Sequence, residues 1–424
     1  VVVVGGGMAG TIAALAAREA GHEVTLIARA PGDTALSSGA IDVARDPGEG
    51  PGAPFGRGRT VAENVEACVR MRPEHPYAVV GSDGRARLGE ALAFARERLG
   101  GAGLPLSEFA LNAPNRYFVP PAGWPKGTAM VQQSQAGPDL AREREARVAV
   151  VRFAAVAALD PGLTVRALRA RGVPAVELPV AWPGGDDAPF LQAADLARRL
   201  ADAAARNDLV EALRRALREV SADAVLLPAV APLDGAAEVM GDLSAALGLP
   251  VREMLGAEAS VPGLRLHQAL ERALAQGGVS VLRGVARAEG DHLWVEGREA
   301  LRLEPRAVVL ATGRYVGGGV RKQGVFTEPV YGLPLWAGAR PLGEVAATAL
   351  TERRFAAPQP LLQVGVRADA RLRPVGLDDA PVRARLFCAG ALLAGYDPPI
   401  DGTGLGVAVL TGYLAGHYAS EAAR

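Results

Sequence analysis

The sequence predicts an α/β chain with a parallel sheet, and three observations carry that prediction. Val1-Val2-Val3-Val4, an apolar β-branched run, leads directly into Gly5-Gly6-Gly7-Met8-Ala9-Gly10, a Gly-x-Gly-x-x-Gly turn. Two later strand-like runs end in small residues: Arg306–Leu310 in Ala311-Thr312-Gly313, and Arg385–Cys388 in Ala389-Gly390. Between Arg147 and Leu255, short apolar runs alternate with helical periodicities, as in a small parallel sheet with its own crossovers. Together these predict a Rossmann-like FAD/NAD(P)-binding domain built from N- and C-terminal segments, with an inserted α/β cap domain. The expected boundaries are 1–145 with 256–424 for the first, and 146–255 for the cap.

The opening segment has the parts of a phosphate-binding βαβ start. Gly5 permits a tight turn, Gly7 lets the backbone approach a pyrophosphate, and Gly10 lets the helix pack closely on the strand. Ile12, Ala13, Leu15 and Ala16 recur at helical spacing, and a second strand is expected over Glu23–Ala28. The start of such a helix offers free N–H groups and a positive dipole end. One part is absent. An acid that grips a ribose hydroxyl is expected where this strand ends, but Ala28-Arg29 stands there. Either backbone or another side chain holds the ribose, or no adenosine ribose sits there in the usual way, as with a mononucleotide flavin.

Composition bounds the function. At 424 residues the chain can bury a large core, and 49% hydrophobic with 22% charged residues is ordinary for an α/β protein. The formal net charge is zero, which argues against nucleic acid as a partner. Lysine occurs only at Lys126 and Lys322, and arginine supplies the other basic residues. Cys68 and Cys388, the only cysteines, cannot by themselves ligate an iron–sulfur cluster, and a reducing cytoplasm is the expected compartment. No signal peptide is visible, and the lack of an initiator Met leads us to expect residues ahead of Val1. No uninterrupted apolar segment has the length of a membrane span, so any membrane association is expected through a partner.

Along the chain, Asp46–Arg59 reads as an exposed loop, and helices are expected over Val61–Met71 and Arg87–Leu99. In the cap, strands are expected at Val148–Phe153, Val176–Val180, Ala224–Leu227 and Val251–Leu255. Helices are expected at Gly162–Arg171, Phe190–Ala205, Leu209–Val220 and Ala236–Leu247. Leu264–Gln276 is then helical, Val279–Leu282 a strand, and 285–303 a set of short antiparallel strands. A glycine turn, Asp401-Gly402-Thr403-Gly404-Leu405-Gly406, opens a final helix to about Ala419.

That turn is the second strongest signal for a site. Gly402, Gly404 and Gly406 place another helix N-terminus where it can favour negative charge on a reduced flavin, or they serve close packing alone. Ser37, Ser38 and Gly39 follow the second strand and can contact phosphate or the flavin ring. Thr312, Gly313 and Gly390 mark strand ends where the backbone passes a dinucleotide. Asp397 can hydrogen-bond the flavin or cap a turn. Arg321 and Lys322, after Gly317-Gly318-Gly319, are candidates to grip a phosphate or are surface charges. No two of the five histidines are spaced as a metal pair, so no metal is expected. His267 is the candidate general base, with Arg265 binding an anionic substrate; the alternative is a helix-capping or buried structural histidine.

Several segments beyond the glycine fingerprint carry a resemblance, and Ser37-Ser38-Gly39 and Gly395-Tyr396-Asp397-Pro398 are much more specific than that fingerprint. Leu36-Ser37-Ser38-Gly39-Ala40-Ile41-Asp42, Ser260-Val261-Pro262-Gly263-Leu264-Arg265-Leu266-His267, Glu328-Pro329-Val330-Tyr331-Gly332-Leu333 and Gly395-Tyr396-Asp397-Pro398 are four of them. Their order and spacing resemble the B subunit of bacterial anaerobic glycerol-3-phosphate dehydrogenase. The resemblance runs from end to end, although in the cap it lies in pattern more than in particular residues. It implies a flavoprotein that works with a homologous flavin-bearing A subunit and an iron–sulfur C subunit. It also implies a cytoplasmic location, peripheral at the inner face of the membrane through that complex. The implied reaction is glycerol 3-phosphate to dihydroxyacetone phosphate, with electrons passed to quinone. FMN is the flavin this family implies, and FAD is the flavin the fold implies. Three readings stay open: a dehydrogenase component, a non-catalytic electron-transfer or assembly component, and a flavin oxidoreductase acting on another substrate.

Overall fold

The computed structural model describes residues 1–49, 55–121, 124–153, 161–182, 192–257, 259–354 and 357–424. Its strands include β1 (Val2–Val4), β2 (Thr25–Ala28), β3 (Val148–Phe153), β4 (Ala175–Val180) and β5 (Ala224–Leu227). They continue with β6 (Val251–Glu253), β7 (Ser280–Arg283), β8 (Val308–Leu310) and β9 (Leu386–Cys388). One parallel sheet has the order β9-β8-β1-β2-β7, with Val2 opposite both Thr25 and Val308, and Val308 opposite Leu386. A second parallel sheet, β4-β3-β5-β6, comes entirely from the segment 148–253. Strands β1, β3, β5, β8 and β9 are almost wholly buried, which is why they read as unbroken apolar runs.

β1 is central in its sheet. The chain leaves it through helix α1 (Met8–Glu19) to β2 on one side, while β8 arrives on its other side from far along the sequence. The order of strands therefore reverses at β1, and its carboxyl end is where open α/β sheets bind ligands. Helix α3 (Gly404–Ala423) packs against α1 at very close range. A Cβ on Gly412 would come within 2.4 Å of the Ala9 carbonyl oxygen, and one on Gly416 within 2.5 Å of that of Ala13. Side chains there would force the helices apart.

Each sheet has its own core. Phe153 and Trp182 pack edge to face at 5.0 Å in the second, apart from the cluster around β1, α1 and α3. Helix α2 (Val261–Gln276) returns the chain to the first sheet and begins three residues earlier than its apolar periodicity indicates. Ser260 Oγ accepts from the Gly263 N–H at 2.9 Å and Pro262 sits in the first turn, two features that start helices independently of hydrophobic spacing. Within the second unit, helices occupy Ala193–Leu200 and Ala203–Leu217, divided where Asp202 accepts from the Ala204 N–H. The expected helix over Phe190–Ala205 begins at positions outside the described residues and is broken by this cap.

Of the loop read over Asp46–Arg59, residues 50–54 lie outside the described residues. Asp46 itself is buried and accepts from the Gly48 and Arg57 N–H groups, so the start of that loop is a folded turn. Among the described residues, no helix is long and apolar enough to cross a membrane.

Candidate functional site

A cavity of about 380 Å³ opens at the carboxyl ends of β1, β2 and β8, a volume within the range of small-molecule and cofactor sites. Four chain segments make most of it: the turn Gly5–Gly7, the loop from Arg29 to Asp42, residues 311–321, and the start of α3. Gly5 adopts φ +120°, and a Cβ there would lie 2.1 Å from the Ala311 carbonyl oxygen. Gly10 faces the same squeeze, since its Cβ would lie 1.9 Å from the Gly5 oxygen. These two glycines let strand and helix meet. Gly7 differs, because the nearest described atom to a Cβ there is Thr34 Oγ1 at 3.3 Å, and Gly7 faces the cavity.

Two helix N-termini converge on this space. At α1, Gly7 offers no side-chain cap, and Thr34 Oγ1 accepts from the Met8 N–H at 3.0 Å. At α3, Thr403 likewise caps nothing with its side chain, and Gly404 and Leu405 line the cavity. The first turn of any helix leaves N–H groups without intrahelical partners, so both ends present positive potential to an anion. Three buried polar atoms of cavity-lining residues have no partner among the described residues: Thr312 Oγ1, Asp42 Oδ1 and the Tyr396 hydroxyl. Groups of that kind are costly unless a ligand satisfies them. The cavity thus fits a phosphate-bearing flavin by its glycine cradle, its dipoles and its unpaired polar atoms.

The structure brings together only part of the predicted set. Gly5, Gly7, Ser37, Ser38, Thr312, Gly313 and Gly404 line the cavity. Gly10, Gly39, Gly390, Gly402 and Gly406 stand behind its walls as close-packing positions. A Cβ on Gly39 would meet Pro262 at 2.6 Å, one on Gly390 would meet Ala9 at 2.6 Å, and one on Gly406 would meet Asp42, Tyr77 and Val43 at 2.7 Å. Gly402, at φ +61°, terminates the short helix Pro398–Asp401 in the left-handed conformation. Asp397 is fully buried and caps that helix: Oδ1 accepts from the Ile400 N–H and Oδ2 from the Gln359 N–H. Its role in the structure is the turn cap, one of its two expected roles.

The two candidate catalytic residues lie elsewhere. Arg265 is fully buried, and its Nη2 donates to both Glu253 carboxylate oxygens at 2.6 Å. Its Nη1 donates to Gln132 Oε1 at 2.8 Å and Ser134 Oγ at 2.9 Å, so the guanidinium is committed inside the protein. His267 lines a separate recess with Gly6, Ala28 and Arg283, its Nε2 3.6 Å from Glu271. Helix geometry explains both placements: α2 turns these side chains toward the second unit and the outer face of β2, away from the cavity. The expectation that they meet substrate beside a flavin is corrected accordingly.

Sequence reasoning gave no role to two titratable residues that line the cavity, Asp42 and Lys126. Lys126 Nζ lies 2.6 Å from Asp42 Oδ2 and donates to Ser38 Oγ at 3.2 Å. Lys126 belongs to the hairpin Arg116–Phe118/Lys126–Thr128, distant in sequence from every motif. Its signal was compositional, as one of two lysines in a chain of arginines. Arg29, the residue in place of the expected acid, also lines the cavity, as does Arg321, one of the two candidates to grip a phosphate. The Glu328–Leu333 segment acts as a staple. Glu328 is buried and accepts from the Val330 and Tyr331 N–H groups at 2.8 Å, holding Pro329 and Val330 in the wall. Burial pushes its carboxyl above the usual range, and these backbone donors oppose the shift.

The family described as FAD binding domain matches residues 1–407. The B subunit of anaerobic glycerol-3-phosphate dehydrogenase from Vibrio cholerae is 30% identical, over 98% of this chain and 95% of its own length. The probable B subunit of the same enzyme from Halobacterium salinarum is 30% identical, over 100% of this chain and 98% of its own. Among solved structures, the open conformation of a flavocytochrome c3 fumarate reductase is similar at 12% identity and a TM-score of 0.44. That likeness covers 100% of this chain and 78% of the other, and is too slight to bear on activity.

Proposed function

This chain belongs to the FAD-binding domain family and to the B-subunit family of anaerobic glycerol-3-phosphate dehydrogenase, and we propose that it oxidises glycerol 3-phosphate to dihydroxyacetone phosphate. It is a flavin-dependent oxidoreductase, and FAD is its cofactor. The observation that carries the substrate assignment is the 30% identity to these B-subunit relatives across nearly the whole of both chains. In this reading the electrons pass to quinone through a partner iron–sulfur protein, alongside a homologous flavoprotein A subunit. The chain then works in the cytoplasm and reaches the inner face of the membrane only through that complex.

FAD, when bound, supplies the acceptor for the hydride that leaves the alcohol carbon. The chain's own residues hold and orient. Gly5–Gly7 and the start of α1 take the cofactor's phosphates, and Ser37, Ser38, Thr312, Gly313 and Gly404 complete the cradle. Gly10, Gly39, Gly390, Gly402, Gly406 and Asp397 support it from behind. Loss of the hydride requires a base for the hydroxyl proton, and Asp42 Oδ1 is a buried carboxylate oxygen of the cavity wall with no partner among the described residues. Lys126 anchors the other oxygen, Oδ2, at 2.6 Å, which fixes the direction in which the carboxylate points.

Anaerobic addition of glycerol 3-phosphate tests this reading, monitored at the oxidised-flavin band at about 450 nm. Bleaching of the purified chain supports it, and Asp42→Asn should slow bleaching by roughly 10²–10⁴-fold, as expected for loss of a general base. Bleaching only after a flavoprotein A subunit is added favours an electron-transfer role. No bleaching in either case overturns the assignment.

A further inference from the structure

We infer that Arg29 and Arg321 form an anion clamp at the cofactor cavity, closing on a phosphate group of the bound dinucleotide where related folds use an acid to hold the ribose. The inference rests on the FAD reading and says which groups of this chain select the cofactor. Both side chains line the cavity. Both converge on Gly318: a Cβ placed there would lie 3.8 Å from an Arg29 Nη2 and 3.7 Å from Arg321 Nε. Neither guanidinium has a hydrogen bond or an ion pair among the described residues. Asp33, the nearby acid on the cavity wall, is not within ion-pair distance of either.

Two like charges brought to one side of a glycine, without a counter-ion, repel each other. Many other arginines among the described residues are differently placed. Arg45, Arg85, Arg87, Arg98, Arg272 and Arg373, for example, each reach a carboxylate. An anion between Arg29 and Arg321 removes the repulsion and gains charge-assisted, forked hydrogen bonds. The helix N-termini offset only part of the ligand's charge. Each supplies roughly half an elementary charge, whereas a dinucleotide's diphosphate carries two.

Arg29 also accounts for the missing acid. A carboxylate at the end of β2 accepts from a neutral ribose diol, but beside Arg321 and a diphosphate a cation is favoured.

Equilibrium binding of FAD and of riboflavin to the full-length chain, read by flavin fluorescence, tests the clamp. Wild type should bind FAD much more tightly than riboflavin, and weaken as salt rises from about 50 mM to about 500 mM. Arg29→Ala and Arg321→Ala should each lose about tenfold in FAD affinity, and the double variant should lose most of the salt dependence, with riboflavin binding unchanged. Arg29→Glu is the sharpest variant. A phosphate clamp predicts a further loss for FAD, whereas a ribose site predicts affinity equal to or better than wild type. That second result overturns the clamp, as does wild-type FAD affinity in the double variant.

Weakened glycerol 3-phosphate binding with unchanged FAD binding also overturns it, by assigning the arginines to the substrate's phosphate. A wild-type chain that takes up no FAD defeats the cofactor reading itself, and the clamp with it. Thermal melts of the apo-variants, expected to match wild type because Arg29 is exposed and Arg321 half-buried, separate binding from folding.

Discussion

Gly7 and Gly10 sit three residues apart in one turn and will answer alanine differently. At Gly10 the new methyl group collides with the Gly5 carbonyl, which is backbone and cannot yield cheaply. Gly10→Ala should therefore destabilise the fold by about 1–3 kcal/mol and lose cofactor as a consequence. At Gly7 the methyl group meets only Thr34 Oγ1 at 3.3 Å and otherwise enters the cavity. Gly7→Ala should melt near the wild-type temperature yet bind FAD poorly. Melting curves on apo-protein beside FAD titrations check both, and equal losses of stability would contradict the distinction.

His75 sets a pH limit on the same scale. It is fully buried between the Tyr77 and Tyr396 rings, and its Nδ1 accepts from the Tyr77 N–H at 3.0 Å. Burial, with Arg72 nearby, pushes its imidazole down to about 3. The unfolded chain takes up this proton near 6.5, so between those values the unfolded state binds more protons. Stability should be fully present above pH 6.5 and drain as pH falls toward 3. His75→Gln should flatten that part of an acid-unfolding profile, and an unchanged slope would remove His75 as its source.

At the scale of elements, the approach to α3 is governed by Asp397. It ties two backbone segments together, since it caps Pro398–Asp401, where its own N–H also donates to Asp401 Oδ2 at 2.8 Å, and accepts from the Gln359 N–H. Asp397→Ala leaves buried N–H groups without acceptors and should cost about 1–3 kcal/mol. Because Gly404 lies a short turn further on, FAD affinity should fall as well. Asp397→Asn, which retains an acceptor oxygen, should recover much of both. Calorimetry with and without FAD reads the two effects, and loss of affinity without loss of stability would move Asp397 from a supporting position to a ligand.

Across the whole molecule, the buried Arg265–Glu253 pair joins α2 to the end of β6 in the second sheet, with Gln132 and Ser134 as further partners. The Ala231 N–H also donates to Glu253, at 2.7 Å. Removing one member strands the other's charge in a dry interior, so Arg265→Met should destabilise by about 3–5 kcal/mol. Glu253→Leu with Arg265→Met should cost less than the sum of the single changes, read from a double-mutant cycle in denaturant. Additive costs would mean that the pair is not coupled. If Arg265 instead met substrate, Arg265→Met would raise the KM for glycerol 3-phosphate without changing the melt.

The local elements, and the kind of cavity they make, are legible in the order of the residues. Apolar runs at Val2–Val4, Val308–Leu310 and Leu386–Cys388, and glycines placed just after strands, report backbone needs that are local, so they are legible without a fold. Tertiary structure decided which of those glycines face ligand and which face protein. Gly404 and Gly406 differ by two residues, yet one lines the cavity and the other lies against Asp42 and Val43. It also decided the chemistry within the cavity. Arg265 and His267 lie in a specific sequence segment, but the direction of α2 turns them elsewhere. Lys126, Asp42, Arg29 and Arg321 meet only because loops from distant parts of the chain close over the carboxyl end of β1. Spacing along one chain records helical and strand faces, whereas the juxtaposition of charges is set by how sheets and loops pack.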